Sequence, residues 1–166
     1  MTDQYRLLAA VIAAHPNHSV VGRTRLQKTI KLLQRLGLPT TYGYLIHFYG
    51  PYSEDLQSDV TLLETMGMVT EAPVQTISGG GMYYVIKATA GADAALVKSL
   101  ANQIQIMAGA DLTVLELAAT YDAFREAGSA HDEAMVRLRR KKGTKLDNGN
   151  DKAALELLRE LHLPFR

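Results

Sequence analysis

The side chains best placed to do chemistry in this sequence are cations. RLRRKKGTK packs Arg137, Arg139, Arg140, Lys141, Lys142 and Lys145 into residues 137–145. One or two bases would complement the negative end of a helix dipole. Six exceed that need and point to a surface for nucleic acid or an acidic partner. A second set, Arg23, Arg25, Lys28, Lys31 and Arg35, recurs through RTRLQKTIKLLQR. These bases can line the solvent side of a helix whose Leu26, Ile30 and Leu33 face a core, and bases on such a face contact phosphates. The competing reading of both sets is a solvated amphipathic surface without a ligand.

Reactive groups of other kinds are sparse. The absence of cysteine excludes disulfides, thiol catalysis and thiolate metal sites. His15 and His18 in HPNH sit in a turn without nearby carboxylates, and His47, His131 and His162 are scattered. No HExxH spacing occurs. Ser53 has no base partner in sight, and Asp55 and Asp59 lack a third ligand. The expectation is a non-enzymatic protein with no catalytic residue, no metal and no cofactor. SGGG (78–81) could cradle phosphate, but no Gly-Lys-Ser/Thr follows and the next segment is β-prone, so it is expected to be a turn.

These groups must be carried by elements. DQYRLLAAVIAA is an apolar helix closed by His15-Pro16. Thr24 opens the basic helix, which Gly37 ends. TYGYLIHFY (41–49) is aromatic and reads as one strand. Gly50 and Pro51 then form a corner: glycine permits an unusual backbone angle, and proline fixes φ before the next helix. Ser53 is placed to cap that helix, SEDLQSDVTLLETM, with Glu54 and Asp55 at its positive end. Two β-prone runs around SGGG make a hairpin, with Pro73 marking an irregular or edge strand. Helices follow at roughly 90–108, 112–127, 131–142 and 151–162. In the last of them Leu155, Leu158 and Leu161 form a stripe that needs cover, from a second copy in a homodimer or in cis.

The order helix, helix, strand, helix, hairpin, helices is that of an α+β, mostly α chain. It suggests a winged-helix-like domain over 1–89 with a helical C-terminal extension over 90–166. The chain has 166 residues and a net charge of +1, so overall charge selects no partner. Local charge does. Residues 1–52 hold six Lys/Arg against one acid, whereas 53–71 hold five acids and no base. No signal peptide or membrane-length apolar run is read, and a cytoplasmic location is expected.

The combination RLQKTIKLL (25–33), HFYGPYSEDL (47–56) and LLETMGMV (62–69) resembles a group of small bacterial winged-helix-like proteins and the related Panacea antitoxin domain. The features that carry the resemblance are Leu26-Gln27-Lys28, then Tyr49-Gly50-Pro51, then the helix from Ser53 to Met66. The resemblance implies a non-enzymatic role in toxin–antitoxin, defence or regulatory loci. Two functions are therefore expected to compete. The first is nucleic-acid binding, most simply to duplex DNA, through Arg23–Arg35 and Arg137–Lys145. Against it stands the helix before the wing, which carries four carboxylates and no base where a duplex would lie. The second is docking of a partner protein encoded nearby, through Tyr49, Tyr52, Glu54, Asp55 and Asp59.

Overall fold

The computed structural model of the chain describes residues 3–163. Helix α1 (Gln4–Ala14) is buried from Leu7 to Ala13. Its Ala/Leu/Ile composition favours helix and leaves no polar face, so it lies at the centre of the core. A 3-10 turn at Pro16–His18 leads into β1 (Ser19–Val21), then α2 (Arg23–Arg35). A small hairpin, β2 (Leu45–His47) and β3 (Gly50–Tyr52), delivers the chain to α3 (Glu54–Thr65). Strands β4 (Val69–Gln75) and β5 (Met82–Ala88) follow, joined across SGGG. A 3-10 segment at Ala94–Leu100 runs into α4 (Ala101–Ala108), and then come α5 (Leu112–Glu126), α6 (His131–Lys142) and α7 (Asn150–Glu160).

The result is a mostly helical α+β chain with two small antiparallel sheets. The larger has the order β1-β5-β4, with Val20 opposite Ile86 and Glu71 opposite Ile86 on the other side. Val20, Val69 and Ile86 are buried, so one sheet face covers the helical core. The outer side of β4 is unusual. The Glu71 amide donates to Glu64 Oε2 at 3.0 Å, and Pro73, two residues on, has no amide hydrogen.

Three expectations need correction. Residues 41–49 are not one strand: Phe48 and Tyr49 are the two-residue turn of a hairpin, with Leu45 opposite Tyr52 and His47 opposite Gly50. The corner therefore falls at Phe48-Tyr49, and Gly50 and Pro51 lie in β3. Three residues, Ser19–Val21, form a strand where the sequence reading places no element, because so short a run carries no periodicity. The segment 90–108 is broken at Val97 (φ −119°), so only its second half is α-helix. The cap at Ser53 is as expected, its side chain accepting from the Leu56 amide; of the two cap candidates before the 112–127 helix, Asp111 and Thr113, it is Asp111 that accepts from the Val114 amide.

One apolar cluster runs through the whole chain and crosses residue 89. It joins Leu8 and Ile12 of α1, Leu33 of α2, Leu63 of α3 and Ile86 of β5 to Leu117 and Tyr121 of α5. Each such side chain contributes about 1.5–3 kcal/mol through burial. Helix α7 lies on α5. Leu158 and Leu161 are fully covered there and Leu155 packs against the same core, so the leucine stripe is covered in cis.

Candidate functional site

The β2–β3 hairpin stands between α2, α5 and α6, and four residues set its position. Gly50 has φ +90°, and a Cβ there would overlap Thr120 Oγ1 of α5, so only glycine lets the strand lie this close. Gln27 of α2 acts like an extra strand partner. Its Nε2 donates to Ser53 O at 2.9 Å, and its Oε1 accepts from the Ser53 amide at 2.8 Å. Lys28 Nζ donates to Pro51 O at 2.7 Å, and Lys142 Nζ of α6 donates to Phe48 O at 2.7 Å. Two ammonium groups thus grip the two rims of the turn.

Both lysines are out of solvent. The Lys28 residue is 1% exposed, and burial pushes its pKa down to about 8, with Glu116 opposing that shift. Lys142 is also lowered by burial, although Glu116 Oε1 accepts from it at 2.5 Å. Lys145 reaches the same oxygen at 3.2 Å. Glu116, inside the apolar helix LELAATYDAF, is the shared counter-ion of three lysines. Neither it nor Thr120 stood out in the sequence. An acid in the middle of the apolar run LTVLELAA was the available signal.

Above this base, the hairpin is apolar and exposed. Phe48 is 91% exposed, Leu45 72% and Tyr49 61%. Between the hairpin and α2 lies a cavity of about 230 Å³ lined by Arg23, Gln27, Lys28, Phe48, Tyr49 and Tyr52. Tyr52 stacks on His47 at 5.1 Å between ring centres. The acidic turn of α3 follows directly in the chain, with Glu54 and Asp55 exposed. Asp59 is half-buried and accepts from the Tyr42 hydroxyl at 2.6 Å.

The cations expected on the solvent side of α2 are mostly turned inward. Lys28 and Lys31 are buried. Lys31 Nζ pairs with Glu126 at 2.7 Å, and Arg35 Nε with Asp122 at 3.0 Å. Arg25 donates to the carbonyls of Met107 and Ala110, both at 2.9 Å, closing the end of α4. Arg23 pairs with Glu71 and lies 3.7 Å above the Tyr84 ring. The physical reason is that α5 covers α2 and supplies the carboxylates. In α6, Arg139 pairs with Asp147 at 2.8 Å, while Arg137 donates to Ser129 Oγ and stacks on Phe124 at 4.2 Å. Lys142 is the buried clamp. Arg140 and Lys141 are exposed.

His15 and His18 cap α1: their Nδ1 atoms donate to the carbonyls of Val11 and Ala13, both at 2.7 Å. Among the described residues no group of three or more His, Asp or Glu side chains is arranged to hold a metal ion. No helix among them is long and apolar enough to cross a membrane.

No family model matches the chain. The chain is similar to the uncharacterized protein YwgA of Bacillus subtilis, with 37% identity over 65 residues. That stretch is 39% of this chain and 38% of YwgA, so the match spans well under half of either protein.

Proposed function

We propose that this chain is a non-enzymatic protein-interaction module of adaptor or antitoxin type, built on a winged-helix domain, that docks a partner protein through the β2–β3 hairpin and the acidic start of α3. The winged-helix assignment for the first half is supported by the element order and by the strand order β1-β5-β4. The observation that carries the function is the rigid display of Phe48, 91% exposed, on a hairpin held by buried lysines at the carbonyl of Phe48 itself and at that of Pro51 in β3. Exposed aromatic side chains on a pre-organised turn supply contact area at low entropic cost. Glu54 and Asp55 beside it select a partner with an apolar cleft rimmed by Lys and Arg.

The test is capture of the partner from the native host with tagged full-length chain, followed by identification. Phe48→Ala, or Glu54→Lys with Asp55→Lys, should each abolish recovery of one same protein; the first should leave the melting temperature unchanged, and the second should lower it only slightly by opposing the helix dipole. Recovery that survives both changes would refute the docking surface.

Nucleic-acid binding is the second reading. It is favoured by the exposure of Arg137, Arg139, Arg140 and Lys141 along one helix, so contact would come through α6 and not α2. It predicts a duplex affinity that falls steeply with salt and is weakened by charge reversal at Arg139 and Arg140.

A further inference from the structure

We propose that the β2–β3 hairpin and the adjoining end of α6 bind single-stranded nucleic acid, with one base in the cavity beside the hairpin and the phosphates on the lysines of α6 and the turn after it. This site rests on the second reading above, contact through α6, and fixes the form of the nucleic acid.

Three accessible features meet here. The first is aromatic. Phe48 and Tyr49 form the tip of the hairpin and are 91% and 61% exposed. Unpaired bases stack on such side chains, whereas a duplex keeps its base faces inside its own stack. The second is the cavity of about 230 Å³ between the hairpin and α2. That is room for many waters, and for one flat base. The rings of His47, Phe48, Tyr49 and Tyr52 line it. On the α2 side, Gln27 spends both ends of its amide on Ser53, and Lys28 donates to Pro51 O. Both are committed to the backbone, so little is left to read a base edge, and stacking on the rings tolerates any sequence. Arg23, also in the lining, is held by Glu71 and adds no free charge.

The third feature is charge. Lys28, Lys142 and Lys145 all face the one carboxylate of Glu116. Three ammonium groups outweigh it, so the base of the hairpin carries positive charge that the protein does not cancel. Lys145 brings part of this charge to the surface. Its side chain is 41% exposed, and its Nζ lies 5.2 Å from the centre of the Tyr49 ring. It is therefore placed for the phosphate of a base stacked on the tip. Arg140 and Lys141, exposed and without a salt bridge among the described residues, extend the basic surface along α6. The acids set the direction of the strand. Glu54 and Asp55 follow Tyr52 in the chain, are exposed and repel phosphates. The strand therefore runs from the cavity towards α6 and not along α3. Phe48 also belongs to the protein-docking surface, so strand and partner protein exclude each other.

The experiment is fluorescence anisotropy at low salt. The full chain is titrated into labelled oligo(dT), oligo(U) and a mixed-sequence duplex, each about ten nucleotides long. The single strands should bind about five-fold tighter than the duplex or more, because only they offer base faces. Phe48→Ala should lower single-strand affinity by about five-fold or more and duplex affinity by less than about two-fold. The exposure of Phe48 lets this variant keep its fold, which an unchanged melting temperature checks. Lys145→Gln should make the salt dependence of single-strand binding shallower by about 0.7 in the log–log slope, the share of one phosphate contact. Tighter binding of oligo(U) assigns RNA as the strand, and equal or tighter binding of oligo(dT) assigns DNA. Duplex binding as tight as single-strand binding, or single-strand binding untouched by Phe48→Ala, would overturn the single-strand site and leave contact through α6 standing. No binding of any of the three at low salt would overturn both.

Discussion

Replacing Gly50 by alanine perturbs the hairpin at the point where it touches α5. Two costs arise, and they are separable. The first is conformational. At φ +90° an alanine Cβ meets its own backbone, which costs about 1–2 kcal/mol. The second is steric. The new Cβ overlaps Thr120 Oγ1, while Lys28 Cε at 3.5 Å and Glu116 O at 3.7 Å remain in ordinary contact. Thr120 is 0% exposed and β-branched, and its hydroxyl bonds to Glu116 O. Turning it away only exchanges the oxygen for the methyl group, so the overlap costs about 1–3 kcal/mol. Gly50→Ala should therefore destabilise the protein by about 2–5 kcal/mol in all. Thr120→Ala removes the colliding atom, and in that background Gly50→Ala should cost only the conformational part, about 1–2 kcal/mol. The assay is a double-mutant cycle by urea denaturation. A coupling of about 1–3 kcal/mol is expected. Strictly additive costs would refute the close approach of β3 to α5, and with it the account of why glycine stands at this position.

Two further outcomes follow from the buried charges. Lys142→Met leaves Glu116 with Lys145 at 3.2 Å as its remaining salt-bridge partner. It should cost about 3 kcal/mol, the low end for breaking a buried pair, whereas Lys141→Met on the exposed side should change stability by less than about 0.5 kcal/mol. Lys28 gives a pH signature. Its pKa falls from 10.5 when unfolded to about 8 when folded, so between those values the unfolded chain holds a proton that the fold has released. Stability contributed by this group should therefore rise with pH across that window, by up to about 1.4 kcal/mol per pH unit. Denaturation of wild type and Lys28→Met across the window should show a steeper rise in the wild type, the remainder in the variant coming from other groups such as Lys142, whose pKa burial also lowers.

The helices were legible where a single segment decides its own state. The apolar run of α1, the caps at Ser53 and Asp111 and the glycine turn of the β4–β5 hairpin each carry their signal locally. The cations of α2 were not legible in the same way. Lys31 and Arg35 looked solvent-directed because the carboxylates that neutralise them, Asp122 and Glu126, lie some ninety residues away in sequence. A charge pattern on one helix does not say which helix will cover it. Leu155, Leu158 and Leu161 needed cover, and only the structure shows that α5 provides it. Gly50-Pro51 attracted notice for the right residues but the wrong reason. Glycine serves a close packing contact, and the turn itself is made by two aromatic residues that no turn propensity would select.

The outer side of β4 has a consequence beyond the fold. Strands offer edge amides at every second residue. On this edge the Glu71 amide is occupied by the Glu64 carboxylate, and Pro73 has none to offer. Of the positions in step with them inside β4 beyond these two, only Gln75 remains towards the wing. A second chain approaching this edge would find too few donors to continue the ladder. The molecule can therefore display apolar side chains on its other hairpin without the β4 edge serving as a template for fibrous self-association. At high concentration, any assembly through this edge has to be built from side-chain contacts.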